Sequence, residues 1–252
     1  MHDLYFHHPR WPLLYEDNHL LALYKPAGLL VQADQTGDVC LLDLGKSWIK
    51  ERYRKPGAVF LGMVHRLDRP VAGVMVFART SKAASRLSAQ FRARRVEKFY
   101  LAVLEGTPPR DRETLVHRVE RRGDRSSRVA PQAGEGQEAR LSYRLLCSSG
   151  PVSLVEVRPE TGRRHQIRVQ FSHLGCPVLG DLRYGARDPL PGKQIALLAW
   201  RLLVEHPTRR EPLLFESPIP EGWPLPPQGS PPAGTPWTWK DLEKLLEPGP
   251  PE

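Results

Sequence analysis

The sequence predicts an α+β fold with a mixed, largely antiparallel central sheet and flanking helices and loops. Two observations support this class. Short apolar runs rich in β-branched residues recur along the chain and are typical of strands. Helical stretches fall between some of them, without the regular strand–helix alternation of a doubly wound parallel sheet. The 252 residues divide into a short leader (1–12), a main domain (13–217) and a Pro-rich strap (218–252) that ends in a short helix.

Turn residues and helical spacing delimit the elements in the first half of the chain. The dipeptide Asp17-Asn18 is typical of a turn between two strands. Thr80 and Ser81 are both suitable N-caps for the helix that follows them. The predicted elements are two strands within 13–31, a helix over 41–54 despite Gly45, a strand–loop–strand unit over 59–79 with its polar loop at 65–70, and a helix over 80–95.

The second half predicts further strands, one long helix and a polar central region. Residues 107–140 are rich in Arg, Gly and Glu and predict a hairpin or a mobile loop. Gly106 and Gly175 mark the ends of a strand and of a helix. The remaining predictions are strands over 98–106, 141–147 and 152–158, a helix over 161–175, short elements over 193–205 and 211–217, and a terminal helix over 237–247.

The chain is strongly basic. Lys and Arg number 37 against 28 Asp and Glu, which gives a formal net charge of +9 and a pI of about 9.7. Such a surplus favours a polyanionic partner, although composition alone is equally compatible with a basic surface that has none. Arginine outnumbers lysine, as in the run Arg92, Arg94 and Arg95, and its planar fork suits phosphate.

Several other classes of protein are disfavoured. The three cysteines, Cys40, Cys147 and Cys176, form no CxxC pair, so neither a disulfide framework nor a zinc site is predicted. The nine histidines show no spacing typical of metal ligands. The N-terminus lacks the pattern of a secretory signal, and no apolar run is long enough to span a membrane. We therefore expect a cytoplasmic protein without a metal and, since no coiled-coil heptad is visible, a monomer.

The strand–loop–strand unit carries the first candidate functional residue. Asp68 lies in its loop among three side chains that can carry positive charge, His65, Arg66 and Arg69. Burial disfavours an ionised carboxylate whereas neighbouring cations favour it, and a carboxylate kept ionised in a partly dry pocket is a capable nucleophile. The residues alone still favour the simpler interpretation, a loop Asp that pairs with an arginine for local order.

A second candidate group lies in the helix predicted over 161–175. If Thr161 caps this helix, the free backbone N–H groups of its first turn favour an anion. Arg164 would share one helix face with Ile167 and Arg168. A solvated basic helix explains the same pattern equally well, so the residues alone leave both interpretations open.

A third candidate group lies on the strand predicted over 98–106. Lys98 and Tyr100 point to one face of this strand, and Phe99 and Leu101 point to the other. A tyrosine on a polar face can stack on a nucleobase. A half-buried strand tyrosine with no such role is the more frequent case, and the residues alone favour it.

Four segments resemble the motifs of RluA-type pseudouridine synthases. HRLDRPVAGV (65–74) resembles the catalytic motif, which begins His-Arg-Leu-Asp. The other three segments are KPAGLLV (25–31), which resembles the early Lys-Pro-x-Gly motif, KFYLAVLEG (98–106), which resembles the Lys-x-Tyr-x-Ala-x-Val-x-Gly strand, and TGRRHQIRVQFSHLGCPVLGDLRYG (161–185), which resembles the Thr-Gly-Arg-x-His-Gln-Ile-Arg segment and the following Gly-Asp-x-x-Tyr-Gly. They lie in the family's order and cover about residues 13–215.

The resemblance implies isomerisation of uridine in structured RNA, either rRNA or tRNA, with no cofactor. Asp68 attacks the uridine, the glycosidic bond breaks, and the uracil rotates and rejoins the ribose through C5. Whether Asp68 adds to C6 of the base or to C1′ of the ribose stays open. Arg168 matches the arginine that pairs with this Asp and keeps it charged and aimed. Tyr100 matches the tyrosine that packs on the target base and is suited to help remove the C5 proton.

The same motifs imply further contacts with RNA. Arg66 matches a residue that fills the gap left when the uridine leaves the stack, a step required because the reacting atoms are shielded in a stacked helix. Ile167 is expected to line the pocket with its apolar side chain. The other predicted RNA-binding residues are His65, Arg69, Lys98, Arg163, Arg164, His165 and Gln166.

The sequence departs from the family pattern at two positions. Ala72 stands where Ser is common and Arg164 where Thr is common, and neither change removes an essential group. No N-terminal RNA-binding extension is visible, so the sequence gives no indication of how a substrate is selected. We hypothesise that the region 107–140 clamps the RNA through its arginines, Arg118, Arg121, Arg122, Arg125 and Arg128.

Two rival functions fit part of the same pattern. A synthase-like fold that only binds RNA would explain the basic charge, but the complete set of Asp68, Tyr100 and Arg168 argues against lost catalysis. A carboxylate-dependent hydrolase would require a second acid at a suitable place. No second carboxylate is associated with the motif cluster, which disfavours the hydrolase.

Overall fold

The computed structural model describes residues 13–123, 126–131, 135–220 and 223–224, where eleven strands and three α-helices form two compact units. The first unit contains the described residues up to Val96 together with 201–220, and the second contains those from Glu97 to Trp200 together with 223–224. The predicted leader and the predicted terminal helix lie outside the described residues. Of the predicted strap, only residues 218–220 and 223–224 are described. No helix in the described part of the chain is both long and apolar enough to cross a bilayer.

The first unit is built on antiparallel strands with two helices. The strand β2 pairs with β1 and β4, β3 pairs with β4, and β10 pairs with β11. Its elements are β1 (Leu13–Glu16), β2 (Leu20–Lys25), α1 (Leu41–Arg52), β3 (Gly62–Met63), β4 (Ala72–Ala78), α2 (Ser81–Arg92), the C-terminal part of β10 (Leu197–Glu205) and β11 (Pro212–Glu216).

Side chains explain the turn and the helix start predicted for this unit. The Asp17 carboxylate accepts hydrogen bonds from the backbone N–H groups of His19 and Leu20, both at 2.7 Å, and so fixes the β1–β2 turn. Thr80, one of the two predicted N-caps, caps α2, because its hydroxyl accepts from the backbone N–H of Ala83 at 3.1 Å. Both predictions are confirmed.

The core of the first unit lies between α2 and the strands. Leu87 of α2 packs in one buried cluster with Val76 of β4 and Leu202 of β10. Gly45 lets α1 pack closely as well, because a Cβ there would lie 2.8 Å from Leu61 Cδ2. The helix predicted over 41–54 despite Gly45 forms over Leu41–Arg52, and Gly45 is buried within it.

Within its described residues, the second unit contains five complete antiparallel strands, the N-terminal part of β10 and one α-helix. The strand order is β5-β9-β8-β6-β7. Its elements are β5 (Glu97–Glu105), β6 (Arg112–Arg122), β7 (Ser126–Val129), β8 (Gln137–Ser149), β9 (Val152–Pro159), α3 (Gln166–His173), two 3-10 turns (Leu182–Tyr184 and Pro191–Lys193) and the N-terminal part of β10. The predicted α+β class with largely antiparallel strands is confirmed.

The polar region 107–140 forms strands, so the hairpin is the correct alternative of the two that were predicted. The strands β6 and β7 pair from Val119–Val129 to Arg122–Ser126. Val119 packs in a buried cluster with Val169 of α3 and with Tyr184. The abundant arginines hid this apolar face, because the buried Leu115 and Val119 of β6 alternate with exposed residues that include Arg112 and Arg118.

The helix predicted over 161–175 is shorter than expected. It begins at Gln166, because His165 has a left-handed backbone conformation (φ 53°) that a continuous helix cannot contain. Thr161 therefore does not cap the helix, and the predicted cap is wrong. Arg164 precedes the helix, so the inference that it shares a helix face with Ile167 and Arg168 is wrong too.

Candidate active site

The loop between β3 and β4 carries Asp68 and is joined to the segment that follows β2. The backbone N–H of Gly28 donates to the carbonyl of Arg69 at 2.8 Å, and Arg69 Nε donates to the carbonyl of Gly28 at 2.8 Å. Gly28 has a φ of +86°, a conformation that glycine adopts without steric cost. Arg69 also forms an exposed ion pair with Asp38 at 2.7 Å. The KPAG and HRLD segments thus form one structural element that carries the partly buried Asp68.

Lys25, the last residue of β2, is completely buried beside this loop. Its ammonium donates to the backbone carbonyls of Pro26 at 2.9 Å, Leu29 at 2.8 Å and Arg69 at 3.1 Å. Burial lowers the pKa of Lys25 to about 7, the Asp68 carboxylate opposes this shift, and the Arg69 guanidinium adds to it. Lys25 therefore fixes the backbone next to Asp68 and lies within electrostatic range of its carboxylate.

Replacing Lys25 by Met is expected to change how stability depends on pH. An unfolded lysine keeps its proton up to a pKa of 10.5, whereas folded Lys25 releases it near pH 7. Between these values the unfolded state binds more protons, so this lysine makes the wild-type free energy of unfolding rise with pH, by at most about 1.4 kcal/mol per pH unit. Below pH 7 the full cost of burying the charge is present. Urea unfolding of both proteins between pH 6 and 10 measures the difference.

The matched control is Lys50→Met on α1, where the lysine is exposed. The free energy of unfolding of the wild type minus that of Lys25→Met should increase with pH. The corresponding difference for Lys50→Met should stay constant. If the two variants show the same pH profile, burial of the Lys25 charge does not contribute as argued.

The remaining residues of the Asp68 loop have contrasting environments. His65 Nε2 accepts a hydrogen bond from the backbone N–H of Val76 at 3.0 Å, and its ring stacks on Phe91 with 4.9 Å between centroids. His65 thereby anchors the loop to β4 and α2. Arg66 is exposed, as a residue that enters an RNA stack must be. The RNA contacts predicted for both residues stay predictions.

Arg168 lies on α3 in the second unit and is almost completely buried. Its Nε donates to Asp181 Oδ2 at 2.6 Å and its Nη2 donates to Asp181 Oδ1 at 2.8 Å. This bidentate geometry is the strongest that arginine forms with a carboxylate. Arg168 is 4% exposed and Asp181 is 2% exposed. Its guanidinium carbon also lies 4.9 Å from the centre of the Tyr184 ring, so the guanidinium is held in one orientation.

Tyr184 connects Arg168 to His165, the residue immediately before α3. Its hydroxyl accepts a hydrogen bond from the backbone N–H of Ser127 at 2.9 Å and lies 2.7 Å from His165 Nδ1. The hydroxyl can therefore donate its own proton to the imidazole nitrogen. The segment that resembles Gly-Asp-x-x-Tyr-Gly thus supplies Asp181 and Tyr184, which both hold Arg168.

The turn before α3 is organised by the buried side chain of Gln166. The Thr161 hydroxyl donates to Gln166 Oε1 at 2.6 Å, and the same oxygen accepts from the backbone N–H of Arg163 at 3.0 Å. Gln166 Nε2 donates to the carbonyl of Arg140 on β8 at 3.0 Å. Thr161 was expected to cap the helix, but its hydroxyl instead binds the side chain of Gln166 within this turn.

Tyr100 and Lys98 lie on β5, and both are partly buried. Tyr100 is opposite Val157 of β9 in the sheet. Lys98 Nζ donates to the carbonyl of Thr161 at 3.3 Å. Lys98 thereby joins the strand that carries Tyr100 to the turn before α3.

The predicted site residues divide between the two units. The first unit contains Asp68 with its loop neighbours, and the ion pair predicted between Asp68 and Arg168 stays a prediction. No group of three or more His, Cys, Asp or Glu side chains in the described residues is arranged to hold a metal ion. The second unit contains Lys98, Tyr100, Arg163, Arg164, His165, Gln166, Ile167 and Arg168.

Three buried polar residues are missing from the predicted site. Lys25 holds the Asp68 loop, and Asp181 and Tyr184 hold Arg168. All three occur in segments that carry the family resemblance. A lysine at the end of the continuous apolar run LLALY was a further signal, because such a position predicts a buried charge that needs backbone partners.

The comparison with known families decides the identity of the fold. The family described as RNA pseudouridylate synthase matches residues 19–173. The chain belongs to the RNA pseudouridylate synthase family. Relatives named ribosomal large subunit pseudouridine synthase C and D, from Rickettsia prowazekii and Pseudomonas aeruginosa, are both 35% identical to it and confirm the RluA-type resemblance.

The relatives cover most of the chain. An uncharacterized RNA pseudouridine synthase of Aquifex aeolicus is 34% identical over 220 residues, which are 83% of this chain and 69% of the relative. The Pseudomonas aeruginosa enzyme aligns with 83% of this chain over 68% of its own length. The tRNA pseudouridine synthase C of Salmonella typhimurium is 31% identical, over 84% of this chain and 86% of its own length.

Two solved structures share the fold. Human RNA pseudouridylate synthase domain containing 4 superposes with a TM-score of 0.70 at 26% identity, over 84% of this chain and 89% of the other. Human RNA pseudouridylate synthase domain containing 1 gives a TM-score of 0.66 at 27% identity, over 95% and 96% of the two chains. The pseudouridine synthase fold is therefore confirmed for this chain.

Proposed function

We propose that this chain is an RNA pseudouridine synthase and that Asp68 is its catalytic carboxylate. The observation that supports this most directly is the structural element formed by the KPAG and HRLD segments, in a chain that belongs to the family. Gly28 and Lys25 both bind the carbonyl of Arg69, the residue next to Asp68. A carboxylate on such a restrained backbone needs little reorganisation before it attacks.

The proposed reaction exchanges one bond to the ribose for another. The N1–C1′ bond breaks, the C5–C1′ bond forms, C5 loses its proton and N1 gains one, so the composition of the RNA is unchanged. Asp68 bonds transiently to the nucleoside, at C6 or at C1′. Tyr100 packs on the base and assists departure of the C5 proton. Every group used belongs to the chain or the uridine, so the reaction requires no cofactor.

Arg168 is proposed to keep the Asp68 carboxylate ionised and aimed. A guanidinium suits this role when its own orientation is fixed, because the geometry of attack then depends on few free rotations. The bidentate bonds to Asp181 and the Tyr184 ring provide that fixation. Asp181 and Tyr184 are therefore positioning residues rather than catalytic ones.

The proposed substrate is a structured rRNA or tRNA, because relatives are named for enzymes of both kinds. Arg66 is exposed and suited to fill the gap left by an extruded uridine. We place the protein in the cytoplasm, because relatives are bacterial enzymes named for rRNA and tRNA, and we expect a monomer, because the sequence shows no coiled-coil heptad. Mapping pseudouridines in total RNA of a deletion strain would identify the target, and an unchanged pattern would contradict the proposal.

Tritium release tests the reaction itself. Wild-type protein incubated with RNA tritiated at uridine C5 is expected to release tritium into water and to leave pseudouridine in the chain, because the C5–H bond breaks when C5 joins the ribose. Binding without release would support an inert RNA-binding module. Free uracil in the products would support a hydrolase. Either result overturns the proposed function.

The hairpin of β6 and β7 is proposed to contact the RNA. Arg121 and Arg122 are exposed at its end. Arg118 donates to two backbone carbonyls of its own unit, and Arg128 pairs with Glu120 at 2.6 Å. Arg118 and Arg128 therefore have structural roles, and the proposed phosphate contacts rest on Arg121 and Arg122. The fifth arginine of the predicted clamp, Arg125, lies outside the described residues. Deleting 119–130 would remove core packing, so substitutions are the better test.

The double variant Arg121→Gln/Arg122→Gln is expected to bind RNA more weakly and with a smaller salt dependence. Each lost phosphate contact should reduce the slope of log Kd against log salt by about 0.7 to 0.9. Arg110→Gln/Arg112→Gln at the other end of β6 is the matched control for the loss of charge. Equal weakening by the two pairs would show that general charge, and not the hairpin, determines the affinity.

A further inference from the structure

A basic cavity lies in the first unit, between the C-terminal half of α2 and the turn that joins β10 to β11. Its volume is about 350 Å³. Arg86 and Arg95 line it from the helix side, and Arg210 lines it from the turn. Glu205 is the only carboxylate among the described residues that line it. None of these residues belongs to the Asp68 loop or to a segment that carries the family resemblance.

The walls of this cavity are held by specific hydrogen bonds. Gln90 is 2% exposed, and its side chain binds both backbone groups of Glu205: Nε2 donates to the carbonyl at 2.8 Å, and Oε1 accepts from the N–H at 3.0 Å. Arg86 Nη1 donates to the carbonyl of Pro207 at 2.7 Å. The helix and the turn are thereby fastened together, and the guanidinium of Arg86 is positioned at the cavity.

The positive charge of the cavity is not compensated by ion pairs. In the described part of the chain, neither Arg86, Arg95 nor Arg210 forms a salt bridge with a carboxylate. The adjacent Arg209 is different, because it pairs with Asp17 at 3.0 Å and also with Glu211. Three arginines face one carboxylate, so the cavity attracts anions, and guanidinium forks favour phosphate oxygens over a monoatomic anion.

We propose that this cavity, the α2 pocket, binds backbone phosphates of the substrate RNA. The inference rests on the proposed function, and it adds a contact that shares no residue with the Asp68 loop. Phosphate contacts position an RNA without reading its bases. The α2 pocket would thus supply affinity and register while the Asp68 loop selects and converts the uridine.

The test compares two charge-matched double variants of the full chain. Arg95→Gln/Arg210→Gln removes two cavity arginines, and Arg54→Gln/Lys55→Gln removes two exposed charges after α1. The control is also matched in backbone, since Arg54 has a φ of +47° and Arg210 a φ of +61°. The cavity variant is expected to raise the RNA Kd about tenfold and to reduce the salt slope by about one to two. Tritium release at subsaturating RNA should fall together with the affinity, whereas the Arg54→Gln/Lys55→Gln control should release tritium at the wild-type rate.

The outcomes separate this proposal from the proposed function. Equal loss of affinity in both variants, or none in the cavity variant, overturns the α2 pocket as an RNA site. A second measurement is the rise in melting temperature that inorganic phosphate causes. If the cavity variant loses this rise while its RNA Kd stays that of the wild type, the pocket binds a free anion and the proposal is overturned. Failure of the wild type to release tritium overturns the proposed function and leaves the Kd comparison intact.

Discussion

Asp68→Asn is expected to abolish tritium release from C5-labelled RNA, with a loss of roughly 10³-fold or more. Asn has the same shape as Asp but carries neither the charge nor the nucleophilic oxygen that the proposed reaction uses. The RNA Kd should stay close to that of wild type, because phosphate contacts supply most of the affinity. Asp111→Asn, at an exposed carboxylate in the second unit, is the control and should leave release unchanged.

The same variant has a second readout that does not depend on activity. The Asp68 carboxylate raises the pKa of Lys25 against the larger effect of burial. Removing that carboxylate should lower the pKa of Lys25 further, so the pH range over which stability rises should begin at a lower pH. Full tritium release by Asp68→Asn would rule out this residue as nucleophile, whatever its effect on Lys25.

The sequence predicts the elements of this fold well where apolar spacing and turn chemistry agree. The Asp17 turn and the Thr80 cap form as expected, because each depends on contacts within three residues. The prediction failed at the start of α3, because His165 has a left-handed backbone conformation and the side chain that contacts its ring lies outside the helix predicted over 161–175. Its ring nitrogen lies 2.7 Å from the hydroxyl of Tyr184, nineteen residues further along the chain.

For the candidate site, the sequence predicts the acting residues but not the partners that hold them. Asp68 and Arg168 were found from sequence motifs, whereas the partners that hold them depend on burial and distance. The role of Lys25 rests on its contact with the carbonyl of Arg69, forty-four residues away. Its shifted pKa follows from complete burial, which the apolar run LLALY before it indicates, but the run does not specify the Arg69 carbonyl that the ammonium binds. A motif thus indicates which residues act, and the fold determines what holds them in place.

Asp181→Leu is expected to destabilise the second unit by about 3 to 5 kcal/mol, because it removes one partner of a buried ion pair. Arg168 would lose the two charge-assisted hydrogen bonds that it donates to Asp181, at 2.6 and 2.8 Å. Urea unfolding measures the loss of stability. Glu160→Leu, at an exposed carboxylate that pairs with Arg140, is the control and should cost less than about 1 kcal/mol.

The double variant Arg168→Met/Asp181→Leu separates stability from catalysis. Replacing a whole buried ion pair by apolar side chains of similar volume is often neutral, so this variant should recover most of the stability that Asp181→Leu loses. This double variant should nevertheless release no tritium, because the proposed partner of the Asp68 carboxylate is gone. A stable double variant with wild-type release would show that Arg168 only fills the interior beside Asp181 and Tyr184. A stable but inactive double variant would show that the reaction itself needs the guanidinium at position 168. A purely structural arginine would not explain that result.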